Sequence, residues 1–181
     1  MLRVRLIIAL IVSVVAVGTA ARAPQTGTKA PPAPIIVLET SKGTIEIETL
    51  PDAPKSVAYI LGLVKSNFYR GQRFHWIQPG VVQFGDPVSR DMSRQDAWGK
   101  GGNRETVGVA ETSKRSFDRG IVGLFYRTDQ RPVAAAGQLF ILRAPNPGLN
   151  GKYAVIGRVK TGMNVVDKIE MADLIKTATV K

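Results

Sequence analysis

From Phe74 onward the chain repeatedly sets a short apolar run beside a cluster of turn residues, with runs at 74–77, 81–84, 107–110, 121–126, 138–143 and 153–159. Runs of this length, bounded by Gly, Pro, Asn and Asp, suit β-strands better than helices. Eighteen glycines and eleven prolines supply the turns and weight the chain towards β-structure. Upstream, residues 35–50 alternate about a Ser41-Lys42-Gly43 turn, with Ile45 and Ile47 pointing one way and Glu46 and Glu48 the other. That pattern predicts a hairpin with one buried face. Leu174 to Val180 returns as a closing strand. Many short strands leave sheet edges that invite aggregation, and closing the sheet on itself removes them. The expected architecture is therefore mainly β, a closed antiparallel barrel.

Two helices cap it. Asp52 is placed to cap the first, Pro54 is tolerated in its first turn, and Val57, Ile60, Leu61 and Val64 follow helical spacing, which predicts a helix over 53–66. Met163 to Met171, introduced by Thr161-Gly162, forms the second. Between strands, 88–105 is polar and without periodicity and reads as a long surface loop. Such loops are often functional, and an insertion without a role is the alternative.

The first 23 residues stand apart. Arg3 and Arg5 precede an apolar run from Leu6 to Val17, and small residues follow, which is the layout of a secretory signal peptide. The run is short for a membrane span. Cleavage is expected after Gly18-Thr19-Ala20 or after Ala21-Arg22-Ala23, although Pro24 disfavours the latter. An uncut segment would associate with a membrane through residues 6–21. Residues 24–34 form a Pro-rich linker, and 35–181 form the folded domain. The chain holds no cysteine and a single histidine, His75. Disulfides, lipoprotein attachment and thiolate metal sites are thereby excluded; His75, alone and in a strand motif without a nucleophile elbow, argues against a histidine metal site or a Ser-His-Asp triad, and no cofactor or metal is expected. Of 25 basic residues against 14 acidic, Arg3, Arg5 and Arg22 lie in the first 23 residues, leaving 22 against 14 in the rest. With no basic run longer than two residues and no aromatic-basic motif, this reads as a solvated basic surface facing an anionic cell envelope, not as a specific nucleic-acid site.

Three segments, FHWIQPGVVQFGDP (74–87), GQLFIL (137–142) and LNGKYAVIGRV (149–159), resemble in that order the cyclophilin family of peptidyl-prolyl cis-trans isomerases. The resemblance implies an eight-stranded barrel and a groove for proline-containing segments of client proteins, with a monomer expected. Carried over by motif, the catalytic positions are Trp76, Gln83 and Gln138, and the substrate-binding positions are Val82, Phe140, Leu149 and Tyr153. In the family Gln138 would hold substrate backbone, while Phe140 and Leu149 would wall the proline pocket. The chain also departs from the family. Trp76 stands where the family carries its catalytic arginine, Phe84 replaces a glycine, Gly148 a tryptophan, Tyr153 a histidine, and Phe125 a small residue.

Rotation about a peptide bond faces about 18–20 kcal/mol of amide resonance. An isomerase needs no nucleophile; it needs a proline pocket and a donor near the proline nitrogen that favours the twisted state. Arginine supplies charge and several donors, whereas Trp76 offers one neutral N–H. A bond to a charged group is worth about 1.5–3 kcal/mol, so its loss should cost roughly ten- to a few-hundredfold in rate. Arg127, Arg143 and Tyr153 are candidate substitutes. Arg73 and His75 lie at odd offsets from Trp76 and should face away from it, and His75 reads as a buried structural residue. Two functions follow. One is an isomerase of exported or envelope proteins with reduced activity, periplasmic or secreted; the other is a non-catalytic proline-peptide-binding module or chaperone. Export predicts that N-terminal sequencing of protein from the native envelope finds a start between about residues 20 and 25. An intact soluble chain confined to the cytoplasm would refute it.

Overall fold

The structure is a computed structural model and describes residues 32–126 and 136–181. The expected signal segment, most of the linker and Arg127 lie outside the described residues. Eight antiparallel strands form one curled sheet: β1 (Ile35–Thr40), β2 (Gly43–Thr49), β3 (Trp76–Gln78), β4 (Val81–Phe84), β5 (Ile121–Leu124), β6 (Leu139–Leu142), β7 (Ala154–Thr161) and β8 (Ile175–Val180). Their spatial order is β3-β4-β6-β5-β7-β2-β1-β8. The β1–β2 hairpin turns where expected, with Thr40 paired to Gly43. Its alternation sends Ile36, Leu38, Ile45 and Ile47 into the core.

The barrel is not closed, contrary to expectation. β3 and β8 end the order, and the ladder between their approaches is one isolated bridge, Arg73 to Leu174. The segment before β3 stitches this seam instead: Phe74 N–H donates to Asp173 (3.0 Å), Ala172 N–H to Phe74 (2.9 Å) and Ile175 N–H to Gln72 (2.8 Å). β3 itself is only three residues long and turns away with its hairpin partner β4, so its own edge stays unpaired by β8.

Helix α1 (Pro54–Lys65) buries Ile60, Leu63 and Val64 against the sheet interior. Asp52 does not cap it. The N-cap is Ala53, which has no side chain to accept, and the carboxylate of Glu111 accepts from Lys55 N–H (3.2 Å) and Ser56 N–H (2.7 Å) instead. Burial pulls the Glu111 carboxyl up, but its hydrogen bonds from Ser56 and Lys55 outweigh that and hold it below its usual range. Asp52 is taken by Arg115, whose Nη2 lies 2.9 Å away, and by Ser113 Oγ at 2.8 Å. The run at 107–110 is consequently not a strand. Its segment crosses α1 as an irregular strap, with Val107 against the core and the carbonyl of Glu105 accepting from Tyr59 Oη at 2.7 Å. The second helix, α2, spans only Met163–Val166. The carbonyls of Val166 and Ile169 that follow its start accept from the Arg143 guanidinium.

His75 sits at the entry to β3, 5% exposed, with its N–H on the carbonyl of Gln83 and neither ring nitrogen hydrogen-bonded. Burial holds its pKa below the ordinary 6.5, against smaller upward pulls from Asp86, Gln138 and the Arg73 backbone. The unfolded chain therefore binds a proton before the folded one does. Stability contributed by neutral His75 is complete above about pH 6.5 and falls as pH drops towards the lowered folded pKa. Denaturant midpoints measured between pH 7.5 and 5 should show this slope, and His75→Gln should flatten it. For the helix, Glu111→Ala should cost about 1 kcal/mol and lower the melting temperature by about 3–5 °C, with Glu111→Gln retaining part of the cap. An unchanged melting temperature for Glu111→Ala would refute the capping role.

Candidate functional site

Strand alternation builds the site. In β3, Ile77 points inward while Trp76 and Gln78 point out; in β4, Val82 and Phe84 are interior while Val81 and Gln83 lie on the outer face. In β6, Leu139 and Ile141 enter the core, and Phe140 and Leu142 face the other way. Register then aligns them. Trp76 is opposite Gln83, Gln83 opposite Phe140, and Phe140 opposite Gly123 in β5, giving one side-chain row across four strands. Val81 opposite Leu142 makes the next row. Gly123 leaves room for the Phe140 ring, which a Cβ at that position would overlap.

β5 and β6 are buried on both faces, because a second apolar cluster of Phe117, Ile121, Phe140, Leu142 and Val155 covers their outer side. The edge of that cluster opens as a cavity of about 270 Å³. Phe140 and Leu142 floor it. Leu149, carried on a 3₁₀ turn (Pro147–Leu149), Asn146, Tyr153, Trp76, Val81, Gln83 and Phe125 complete its lining. Tyr153 stands edge-on to Phe140 at 5.4 Å and against Tyr126 at 4.8 Å. Burial, then Tyr126, raises the pKa of the Tyr153 hydroxyl, so it stays a neutral O–H at physiological pH. No lining side chain among the described residues is charged.

Gln83 and Gln138, both nearly fully buried, meet at 2.6 Å, Gln83 Nε2 donating to Gln138 Oε1. The amide nitrogen of Gln138 in turn donates to the carbonyls of Gly99 (3.1 Å) and Gly101 (2.5 Å). From beneath, the buried carboxylate of Asp86 accepts from Gly99 N–H (2.5 Å), Gly101 N–H (3.3 Å) and Val88 N–H (2.9 Å). A Cβ at Gly101 would collide with that carboxylate. The polar stretch 88–105 is thus ordered into two short 3₁₀ segments, Pro87–Arg90 and Met92–Ala97, and a clamped turn. That turn walls a second chamber of about 240 Å³, lined by Trp98, Gly99 and Lys100 together with His75. Trp76, Gln83 and Phe125 border both chambers.

The structure therefore brings Trp76, Gln83, Phe140, Leu149 and Tyr153 together around one groove. Val82 is elsewhere: it is fully buried in the core, because alternation in β4 gives the groove position to Val81. Gln138 lines neither chamber; it props the groove from behind, with both ends of its amide engaged. Trp76 is the most exposed member, at 45%, and sits at the rim. Arg143 is committed to the carbonyls of Val166 and Ile169, at and just beyond the end of α2, and is not among the groove's lining residues. Leu142, two residues beyond Phe140, was legible from strand alternation. Asn146, Trp98 and Lys100 had no local signal, because long loops deliver them.

Residues 35–181 match the family described as "Cyclophilin type peptidyl-prolyl cis-trans isomerase/CLD". A probable peptidyl-prolyl cis-trans isomerase of Brucella abortus is 39% identical over 162 residues, covering 87% of this chain and 82% of its own. The peptidyl-prolyl cis-trans isomerase-like 3 of Gallus gallus is 34% identical, over 75% and 81% of the two chains. In fold, the chain is similar to a Cryptosporidium parvum cyclophilin-type isomerase solved in the presence of the dipeptide Ala-Pro. The TM-score is 0.68 at 22% identity, covering 81% of this chain and 98% of that one. With its eight-stranded sheet, two helices and ordered motifs, the chain belongs to the cyclophilin-type peptidyl-prolyl cis-trans isomerase family.

Proposed function

We propose that this chain catalyses cis-trans isomerisation of X-Pro bonds in exported proteins, assisting their folding, and does so more slowly than arginine-bearing relatives. The observation that carries this reading is the Trp76–Gln83–Phe140 row beside an apolar cavity of about 270 Å³, a volume suited to a proline ring and its neighbours. Phe140 and Leu149 offer the apolar floor for the ring. Gln83 offers the polar group beside it, held in orientation by Gln138. Trp76 stacks at the rim, and its indole N–H is a candidate donor for the proline nitrogen as the bond twists. Neutral Tyr153 is a second donor candidate in the same lining. Export rests on the Arg-flanked apolar run and the proline linker that precede the domain.

One observation favours the binding-module reading: the groove wall carries no charged side chain among the described residues. A neutral donor discriminates less between the planar and twisted amide than a cation does, so binding survives where rate acceleration declines. The two readings separate in one comparison of wild type, Trp76→Arg and Gln138→Ala on a single proline peptide, by a protease-coupled assay. The isomerase reading expects measurable wild-type catalysis and a gain of about tenfold or more in Trp76→Arg. Gln138→Ala should lose activity, because it leaves the Gly99–Gly101 turn held by Asp86 alone and the Gln83 amide unpartnered. If wild type already matches an arginine-bearing cyclophilin and Trp76→Arg changes nothing, another donor carries the chemistry. If both are inactive yet bind the peptide, the chain is a binding module.

A further inference from the structure

We infer that Asp52 is a positioning residue for the proline groove: its carboxylate anchors the strap that in turn holds the loop carrying Asn146 and Leu149. This rests on the proline-groove reading above and names a residue outside the groove on which that site depends.

Three lining residues, Asn146, Leu149 and Tyr153, come from the connection between β6 and β7. Within that loop the hydrogen bonds close only short turns, Leu149 N–H donating to Asn146 and Lys152 N–H to Leu149. Residues 113–117 of the strap fix it to the body. Ser113 N–H donates to the carbonyl of Tyr153 (3.0 Å), and Gly151 N–H donates to that of Ser113 (3.1 Å). Asn146 N–H donates to the carbonyl of Phe117 (2.8 Å), and Phe117 N–H to Asn150 Oδ1 (2.9 Å). Between Asn146 and Lys152, the other hydrogen bond from outside the loop, among the described residues, is Tyr126 Oη on the carbonyl of Lys152. Phe117 is also fully buried and stacks on Phe140 with ring centroids 6.2 Å apart. One strap thus sets both the loop and the floor of the cavity.

The strap belongs to no strand, so no sheet ladder fixes it. Asp52 supplies the anchor. The buried Ser113 hydroxyl donates to Asp52 Oδ1 at 2.8 Å and accepts from Arg115 N–H at 3.1 Å. Arg115 Nε lies 3.1 Å from both carboxylate oxygens, and its Nη2 lies 2.9 Å from Oδ2. The Arg115 guanidinium holds the Asp52 carboxyl below its usual range, against burial that pulls it up, and Ser113 adds to the lowering. A forked guanidinium–carboxylate pair fixes direction as well as distance. Asp52 itself sits in the turn between β2 and α1, two elements packed into the core, and neither it nor Arg115 lines the cavity. The anchor therefore ties the loop to the core. A lining that holds the proline ring touches the planar and the twisted amide alike, so loosening it weakens both. Loss of the anchor raises KM and leaves kcat near wild type.

The test compares wild type, Asp52→Asn, Arg115→Gln and the double variant, as full chains, on one Ala-Pro peptide, with kcat and KM separated by NMR exchange. Ile60→Val is the control, a core change that lowers the melting temperature at a residue outside the strap. Asp52→Asn and Arg115→Gln should each raise KM about threefold or more with kcat within about twofold, the scale of one charge-assisted bond. The double variant should be no worse than the worse single, since both remove the same pair. Amide hydrogen exchange gives a second readout: protection of Gly151 and Phe117 should fall about threefold or more in both single variants. Ile60→Val should move neither KM nor that protection. Unchanged KM or unchanged protection in Asp52→Asn, a loss confined to kcat, additive singles, or the same rise in KM in Ile60→Val would each overturn the inference and leave the isomerase reading standing. If wild type does not isomerise the peptide, that reading fails, and Kd by tryptophan fluorescence takes the place of KM. The same order of variants in Kd supports the inference; equal Kd values, or no binding, refute it.

Discussion

The groove depends on the register between β4 and its two neighbours. Gln83 faces Trp76 on one side and Phe140 on the other, and every other feature of the site hangs from that row. A slip by one residue would send Val82 and Phe84 outward and bury Gln83 in an apolar core without a partner, at a cost of several kcal/mol. The core enforces the register, since Val82, Phe84, Leu139 and Ile141 all fill the interior of the curled sheet. Packing energy gathered inside thus sets the geometry of a site on the outside.

A buried polar network does what packing does not. Asp86, Gln83 and Gln138 are each 5% exposed or less, and burying them is tolerable only because their partners are supplied. Gln83 is met by Gln138, and Gln138 and Asp86 are met by backbone groups of Gly99 and Gly101, in a loop that has no apolar residue to anchor it between Ala97 and Asn103 other than Trp98. The network therefore exchanges one debt for another: the loop satisfies the side chains, and the side chains order the loop. Two chambers with one septum result, one neutral and one edged by an ammonium.

The distribution of charge follows the same economy of partners. The glutamates of β2 are met by cations on the sheet's outer face, Glu48 by Arg158 and Glu46 by Lys181, and Asp52 by Arg115. Arg143, near the groove in sequence, is drawn to the carbonyls that follow α2 because helix ends leave acceptors unfilled. A basic chain thereby keeps its apolar cavity free of charge among the described residues.

Period-two alternation in 35–50, short apolar runs bounded by turn residues at 81–84 and 138–143, and helical spacing in 53–66 made the strands, the first helix and the inward face of the hairpin legible from sequence alone. The ordered motifs also identified the family and five residues that do meet at the groove: Trp76, Gln83, Phe140, Leu149 and Tyr153. Local pattern ended where long-range contact took over. Whether the sheet closed was decided by the short reach of β3 and the stitching of 71–74 to 172–175. The choice of Val81 over Val82 at the groove was decided by which face of β4 the core claimed. The partners of Asp52, Glu111 and Arg143 were decided by groups more than 20 residues distant, which no local rule compares. The sequence by itself determined the elements, because the periodicity of apolar residues is a local property of the chain. Only the tertiary structure decided which polar side chain meets which, because that depends on what the fold brings within three ångströms of it.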